Sequence, residues 1–229
     1  MTDTDYEVVF FDIGGVILDL SSMRRGYSLF INRLSAEYDL DPDDAQETWL
    51  SALSAHFKGR SGTEYRTAMG GYRKATAALF EDPPAEAEWW PIFERATVGA
   101  LRPEPEAPAV IAALEEADYQ LGIVSDVDDA EMERLLAAFE VRERFETTTT
   151  SEAVGFTKPD PRMFETALAA ADVAPEDALM IGDRYRHDVE GAADAGLDAV
   201  AYGADARGPA ATYEIDHLTD LYGVLGVER

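Results

Sequence analysis

The sequence predicts an α/β fold: a doubly wound, Rossmann-like parallel sheet with an α-helical bundle inserted after its first strand. Three observations carry this. Short apolar, β-branched runs alternate with helical stretches through the second half of the chain, as in a parallel sheet with helices on its faces. From Ser21 to about Ala100 there is helical periodicity and no convincing strand. The runs that read as strands end on polar residues, where open parallel sheets meet their ligands.

Taken in order, Val8 to Phe11 reads as a strand buried on both faces. It stops at Asp12, and Gly14-Gly15 would let the backbone turn sharply and approach a ligand closely. On this segment alone, Asp12 is better read as a strand-end residue capping a turn. Leu29, Ile31, Leu34 and Tyr38 mark an amphipathic helix entered near Ser22. Asp41-Pro42-Asp43-Asp44 opens a second, with proline in the first turn and acids at the positive dipole end. It carries Trp49, Leu50, Leu53 and Phe57 before Gly59. A third helix is expected over Thr63 to Phe80, across Gly70-Gly71, and a fourth after Pro83-Pro84 with Trp89, Trp90, Ile92 and Phe93. The tryptophan and phenylalanine positions are expected to form the bundle core. Pro103 and Pro105 mark a boundary, so residues 1–19 with 101–229 are expected to form the sheet domain and 20–100 the helical insert.

Beyond that boundary the pattern predicts helix Ala107–Ala117, strand Gln120–Val124 ending at Ser125-Asp126, and helix Asp129–Phe139. A Thr-rich strand, Phe145–Thr150, precedes helix Arg162–Ala171, which is opened by Pro159-Asp160-Pro161. Strand Ala178–Ile181 ends at Gly182-Asp183, helix His187–Ala195 stops at Gly196, and strand Ala199–Tyr202 follows. Ile215–Leu225 is expected to close the domain as a helix.

Composition narrows the partners. A net charge of −27 over 229 residues argues against nucleic acid and against acidic lipid surfaces. No run approaches the ~20 apolar residues of a membrane span. The chain has no cysteine, which excludes disulfides and thiolate metal sites. With no signal-peptide pattern before the first strand, a cytoplasmic setting is expected. Only Lys58, Lys74 and Lys158 are lysines among 19 basic residues. Acid excess with scarce lysine reads as adaptation to a salt-rich cytoplasm, where a Debye length of ~3 Å at 1 M screens self-repulsion.

Four groups of polar residues could converge at one edge of the sheet: Asp12, Ser125, Lys158, and Asp183 with Asp188. Each alone has an ordinary reading as a turn, a helix cap or a solvated charge. Together their motifs resemble the haloacid dehalogenase-like hydrolases across essentially the whole chain. The hallmarks are Phe11-Asp12-Ile13-Gly14-Gly15-Val16, Val124-Ser125-Asp126, Gly155-Phe156-Thr157-Lys158-Pro159, and Ile181-Gly182-Asp183-Arg184-Tyr185-Arg186-His187-Asp188. The resemblance implies a phosphatase-type member with a mobile helical cap, acting on a small phosphorylated metabolite such as a sugar phosphate. It implies Asp12 as a nucleophile forming an aspartyl phosphate, with Ser125 and Lys158 as further catalytic residues. It implies Mg²⁺ held by Asp12, the Gly14 carbonyl, Asp183 and Asp188. The implied phosphate-binding set is Ser125, Asp126, Lys158 and Gly14. From the cap, Arg24, Arg25, His56 and Arg60 are candidate substrate contacts.

Several positions depart from the family pattern. Gly14 stands where phosphatases of the family usually carry a general acid–base Asp, a role worth roughly 10²–10⁴ in rate. Asp126, Arg184 and His187 replace the more usual Asn, small polar residue and Asn. The main rival activity is metal-independent 2-haloacid dehalogenation, which also lacks an Asp at position 14. It would, however, leave Asp183 and Asp188 unneutralised beside the nucleophile. A phosphate-binding protein with little turnover is the non-enzymatic alternative.

Overall fold

The computed structural model describes residues 6–227. The chain divides into two compact units, Met1–Leu18 with Pro103–Arg229, and Asp19–Arg102. Among the described residues no helix is long and apolar enough to cross a membrane.

The first unit begins with β1 (Val8–Phe11), whose four side chains are all buried. The second unit contains α1 (Leu20–Tyr38), α2 (Pro42–Lys58), α3 (Ala68–Ala77) and α4 (Glu86–Ala100). Helix α1 starts earlier than Ser22 because Asp19 caps it, accepting from Ser21 N at 2.8 Å. Ser22 lies inside the helix and is buried. Helix α3 is shorter than expected: Thr67 accepts from Gly70 N at 3.2 Å and sets the start there rather than at Thr63. Phe30, Leu34, Trp49, Leu53, Tyr72, Trp89 and Phe93 form the interior of this unit, and Trp49 Nε1 donates to Thr76 Oγ1 at 3.2 Å. Leu50 and Phe57 lie outside this core, Phe57 against expectation, and so does Leu29. They are 42%, 37% and 43% exposed, on helix faces that turn away from the aromatic cluster.

In the first unit α5 (Ala107–Glu116) leads to β2 (Gln120–Ser125), followed by α6 (Asp129–Ala138) and β3 (Thr147–Thr150). A single turn, α7 (Ser151–Val154), and α8 (Pro161–Ala171) flank the Lys158 loop. Then come β4 (Ala178–Gly182), α9 (Glu190–Asp194) and β5 (Asp198–Tyr202). A sixth strand, β6 (Tyr213–Ile215), precedes α10 (Leu221–Leu225). The expected helix over Ile215–Leu225 is thus corrected: Tyr202 pairs with Ile215, so the stretch starts as an edge strand, and only its last residues coil. All pairings are parallel, in the order β3-β2-β1-β4-β5-β6. The direction of winding reverses at β1, the position at which doubly wound sheets open a ligand crevice.

Candidate active site

Register explains the convergence. Phe11 lies opposite Ile123 on one side and Ile181 on the other. Asp12 therefore leaves the sheet at the same edge as Ser125, two residues beyond Ile123, and Asp183, two beyond Ile181. All of these residues belong to the first unit.

The turn after β1 is held by Gly15 N donating to Leu18 O at 2.9 Å and Ile17 N donating to Ile13 O at 2.9 Å. Gly15 has φ +78°, and a methyl group there would stand 2.0 Å from Asp183 Oδ2. The position thus demands both a left-handed backbone and the absence of a side chain. Gly14 is half-buried in the same turn.

Asp12 is buried, and its Oδ1 accepts three hydrogen bonds: from Ile13 N (2.8 Å), Ser125 Oγ (2.7 Å) and Lys158 Nζ (3.1 Å). These donors fix the carboxylate and leave Oδ2 facing Arg184 Nη2 at 3.9 Å. Lys158 is completely buried, and its ammonium also reaches Asp188 Oδ1 at 2.6 Å and donates to Val124 O at 2.9 Å. The ammonium is thus held by two carboxylates and a carbonyl, although Asp188 Oδ1 meets it as an ion pair and takes no hydrogen bond. Ser125 and Lys158 are together at the site, and in this structure both are engaged with Asp12.

Asp126 is placed differently from the other members of the expected phosphate-binding set. Its Oδ1 accepts from Lys158 N (2.8 Å) and Ser151 Oγ (2.9 Å), and its Oδ2 from Arg184 Nη2 (3.1 Å). The carboxylate therefore anchors the Lys158 loop and Arg184, and an anionic side chain cannot itself hold phosphoryl oxygens.

After Asp183 the chain forms a π-helical turn, Tyr185–Val189, where a regular helix from His187 was expected. The wider turn carries Asp188 back over the end of β4, where Cβ of Asp188 would stand 2.1 Å from a methyl at Gly182. Asp188 Oδ2 then accepts from Arg184 N at 2.9 Å. Such turns recur at functional sites.

Carboxylate oxygens of Asp12, Asp183 and Asp188 lie within 4.8 Å of one another. Burial would raise Asp12, but Lys158, Arg184 and the Ser125 hydrogen bond hold it below the usual carboxylate range. Asp188 is raised by burial, against the pull of Lys158, with Asp12 adding repulsion. Lys158 is held protonated: burial would lower it, but Asp12 and Asp188 raise it. Asp183 is pushed up to about 7 by burial and by the charges of Asp12 and Asp188. Its Oδ1 is buried with no hydrogen-bond partner among the described residues. Asp188 Oδ1 is likewise buried without a hydrogen bond, and an all-oxygen, negatively charged set with two such oxygens suits a hard divalent cation.

Arg184, noted in the sequence only as a departure, proves central to the charge distribution. Nothing local distinguished it from the other arginines except its place beside Asp183. Of the cap candidates, Arg24 and Arg25 are exposed on α1, with Arg25 Nη2 3.3 Å from Asp19 Oδ2. Arg60 is half-buried. His56 is buried inside the helical unit, its Nε2 3.0 Å from Thr67 O.

Comparison with known proteins shows the family and the fold. The haloacid dehalogenase-like hydrolase family model matches residues 6–196. A glyceraldehyde 3-phosphate phosphatase of Methanothermobacter thermautotrophicus is 27% identical over 199 residues, covering 85% of this chain and 84% of that protein. The solved structure of a HAD phosphatase from Thermococcus onnurineus superposes with TM-score 0.76 at 26% identity, covering 97% of this chain and 99% of that one. The L-2-haloacid dehalogenase of Xanthobacter autotrophicus superposes with TM-score 0.69 at 17% identity, over 98% of this chain and 100% of that one, a likeness of fold alone.

Proposed function

The chain belongs to the haloacid dehalogenase-like hydrolases, and on that premise we propose that it is a Mg²⁺-dependent phosphomonoesterase acting on a small phosphorylated metabolite. The observation that carries the reading is the cluster of Asp12, Asp183 and Asp188. Lys158 and Arg184 offset part of that charge, but a dehalogenase working without metal would leave Asp183 Oδ1 and Asp188 Oδ1 buried with no hydrogen-bond partner among the described residues. The phosphatase relative points to sugar phosphates of triose size as the first substrates to try. We extend the reading to the helical unit, residues 20–100 by sequence pattern, as the family's cap.

Asp12, Asp183 and Asp188, with the Gly14 carbonyl, would hold Mg²⁺. When bound, the ion supplies positive charge that offsets the repulsion between a carboxylate and a phosphate dianion. Asp12 attacks phosphorus, the ester P–O bond breaks, and the leaving group departs as its oxyanion, which takes a proton from water. Water hydrolyses the resulting aspartyl phosphate and restores Asp12. Dividing one difficult displacement into two in this way is the advantage of covalent catalysis. Ser125 and Lys158, at 2.7 and 3.1 Å from Asp12 Oδ1, are within reach of phosphoryl oxygens set against that carboxylate. Gly14 brings no acid for the departing alcohol. The enzyme is therefore expected to favour esters with good leaving groups, such as aryl, acyl or anomeric sugar phosphates.

The test is phosphate release from an aryl phosphate and from triose phosphates in molar KCl, with and without Mg²⁺. Release that requires Mg²⁺ and stops with EDTA supports the reading. Turnover of 2-chloropropionate that persists in EDTA would replace it with dehalogenation. The salt requirement is part of the reading: the acidic chain is expected to lose its fold on desalting.

A pH dependence follows from Asp183, pushed up to about 7. Between the usual carboxylate range and 7, the metal-free folded protein holds a proton that the unfolded chain has released. Its stability therefore falls as pH rises through that window. A divalent cation prefers the ionised carboxylate, so the rise in Tm caused by saturating Mg²⁺ should be small near pH ~5.5 and large near pH ~8. Equal shifts at both pH values would remove Asp183 from the ion's ligands.

A further inference from the structure

Arg184 stands next to every carboxylate of the site. Its Nη2 donates to Asp126 Oδ2 at 3.1 Å and lies 3.9 Å from Asp12 Oδ2. Its Nε lies 3.8 Å from Asp188 Oδ2 and 4.0 Å from Asp183 Oδ1. Only the Asp126 contact is a hydrogen bond; the other three are too long and act through charge alone. The guanidinium is thus anchored by one edge, on Asp126, and suspended over the three carboxylates assigned to the ion. Its side chain is 40% exposed, whereas Lys158, the other cation of the cluster, is fully buried between Asp12 and Asp188. Arg184 is the cation of the site that keeps donors for an incoming ligand, because a guanidinium carries five.

From this placement we infer that Arg184 is a counter-ion shared between the carboxylate cluster and the substrate. It opposes binding of the divalent cation in the absence of phosphate and, still anchored on Asp126, binds a phosphoryl oxygen once phosphate arrives. Asp126 is then a positioning residue for it. The inference rests on the phosphatase reading for its second half and on the charge geometry alone for its first. It assigns a use to two departures from the family pattern together, since Arg184 and Asp126 bond to each other.

The two halves move two affinities in opposite directions, which a purely structural residue would not do. Mg²⁺ binding to the metal-free protein, and inorganic phosphate binding to the Mg²⁺-loaded protein, would be measured by calorimetry at the lowest salt that keeps the chain folded. Arg184→Gln is expected to tighten Mg²⁺ roughly tenfold and to weaken phosphate about tenfold or more. Arg184→Lys keeps the charge without the planar fork. It should leave Mg²⁺ affinity within about threefold of wild type and recover part of the phosphate affinity.

Mg²⁺ affinity unchanged or weakened in Arg184→Gln would overturn the counter-ion role, and phosphate affinity unchanged would overturn the anion-binding role. If Arg184→Gln does not fold, Arg184→Lys decides: Mg²⁺ bound tenfold tighter there would show that charge is not the cause. Wild-type protein that takes Mg²⁺ but no phosphate would sink the phosphatase reading, while the Mg²⁺ arm still judges Arg184.

Discussion

Replacing Asp12 by Asn is expected to abolish phosphate release, lowering turnover by about 10⁴-fold or more. The amide keeps the shape of the carboxylate but lacks its charge and cannot form the phosphoenzyme. The three donors that fix Oδ1, from Ile13, Ser125 and Lys158, can still meet the amide oxygen. The variant loses the attraction between Asp12 and Lys158. Lys158 keeps Asp188 at 2.6 Å, however, and Asp183 loses a repelling neighbour, so the metal-free fold should survive with reduced stability. The variant therefore separates chemistry from folding. The checks are steady-state phosphate release with an aryl phosphate and a thermal melt in EDTA. A folded Asp12→Asn protein that kept a tenth of wild-type activity would mean that another group attacks phosphorus.

Lys158→Met should damage folding and activity together. Met fills a similar volume, but Asp12 and Asp188 lose the ammonium that lies 3.1 and 2.6 Å away, and Val124 O loses its donor. Breaking a buried ion pair by removing one partner typically costs about 3–5 kcal/mol. Part of that cost returns by protonation, because Asp188, already raised by burial, would take up a proton. The destabilisation should therefore be largest at alkaline pH and smaller below neutrality. Denaturant titration in EDTA at two pH values measures it, and Mg²⁺ should restore part of the loss by replacing the missing charge. A variant as stable as wild type at alkaline pH would show that Lys158 is not the counter-charge that the geometry makes it.

Much of this site was legible beforehand because its parts are local. Strands read from β-branched runs, and the polar residue just past each run falls at the sheet edge by construction. Asp12, Ser125 and Asp183 are found that way. Lys158 stood out because the chain almost avoids lysine, yet its complete burial could not be read from a loop next to proline. Asp126 and Arg184 were visible only as departures, since their significance lies in a bond between residues 58 apart in sequence. The errors in the fold have similar origins. Phe57, like Leu29 and Leu50, is an apolar residue on an otherwise amphipathic helix, and periodicity does not say which edge of the stripe is covered. The C-terminal strand β6 has three residues, too few for alternation to register, and exists because β5 offers a free edge.

By itself the sequence determined the α/β class, the helical insert, and which side chains lie at strand ends, because backbone periodicity and the glycine and proline breaks are short-range properties. The tertiary structure decided which of those ends are neighbours. With β1 between β2 and β4, residues more than 100 positions apart share one buried, poorly screened cluster, and the charge state of each depends on all the others. No one-dimensional pattern encodes that coupling, because burial and Coulomb interaction depend on distance in space rather than along the chain.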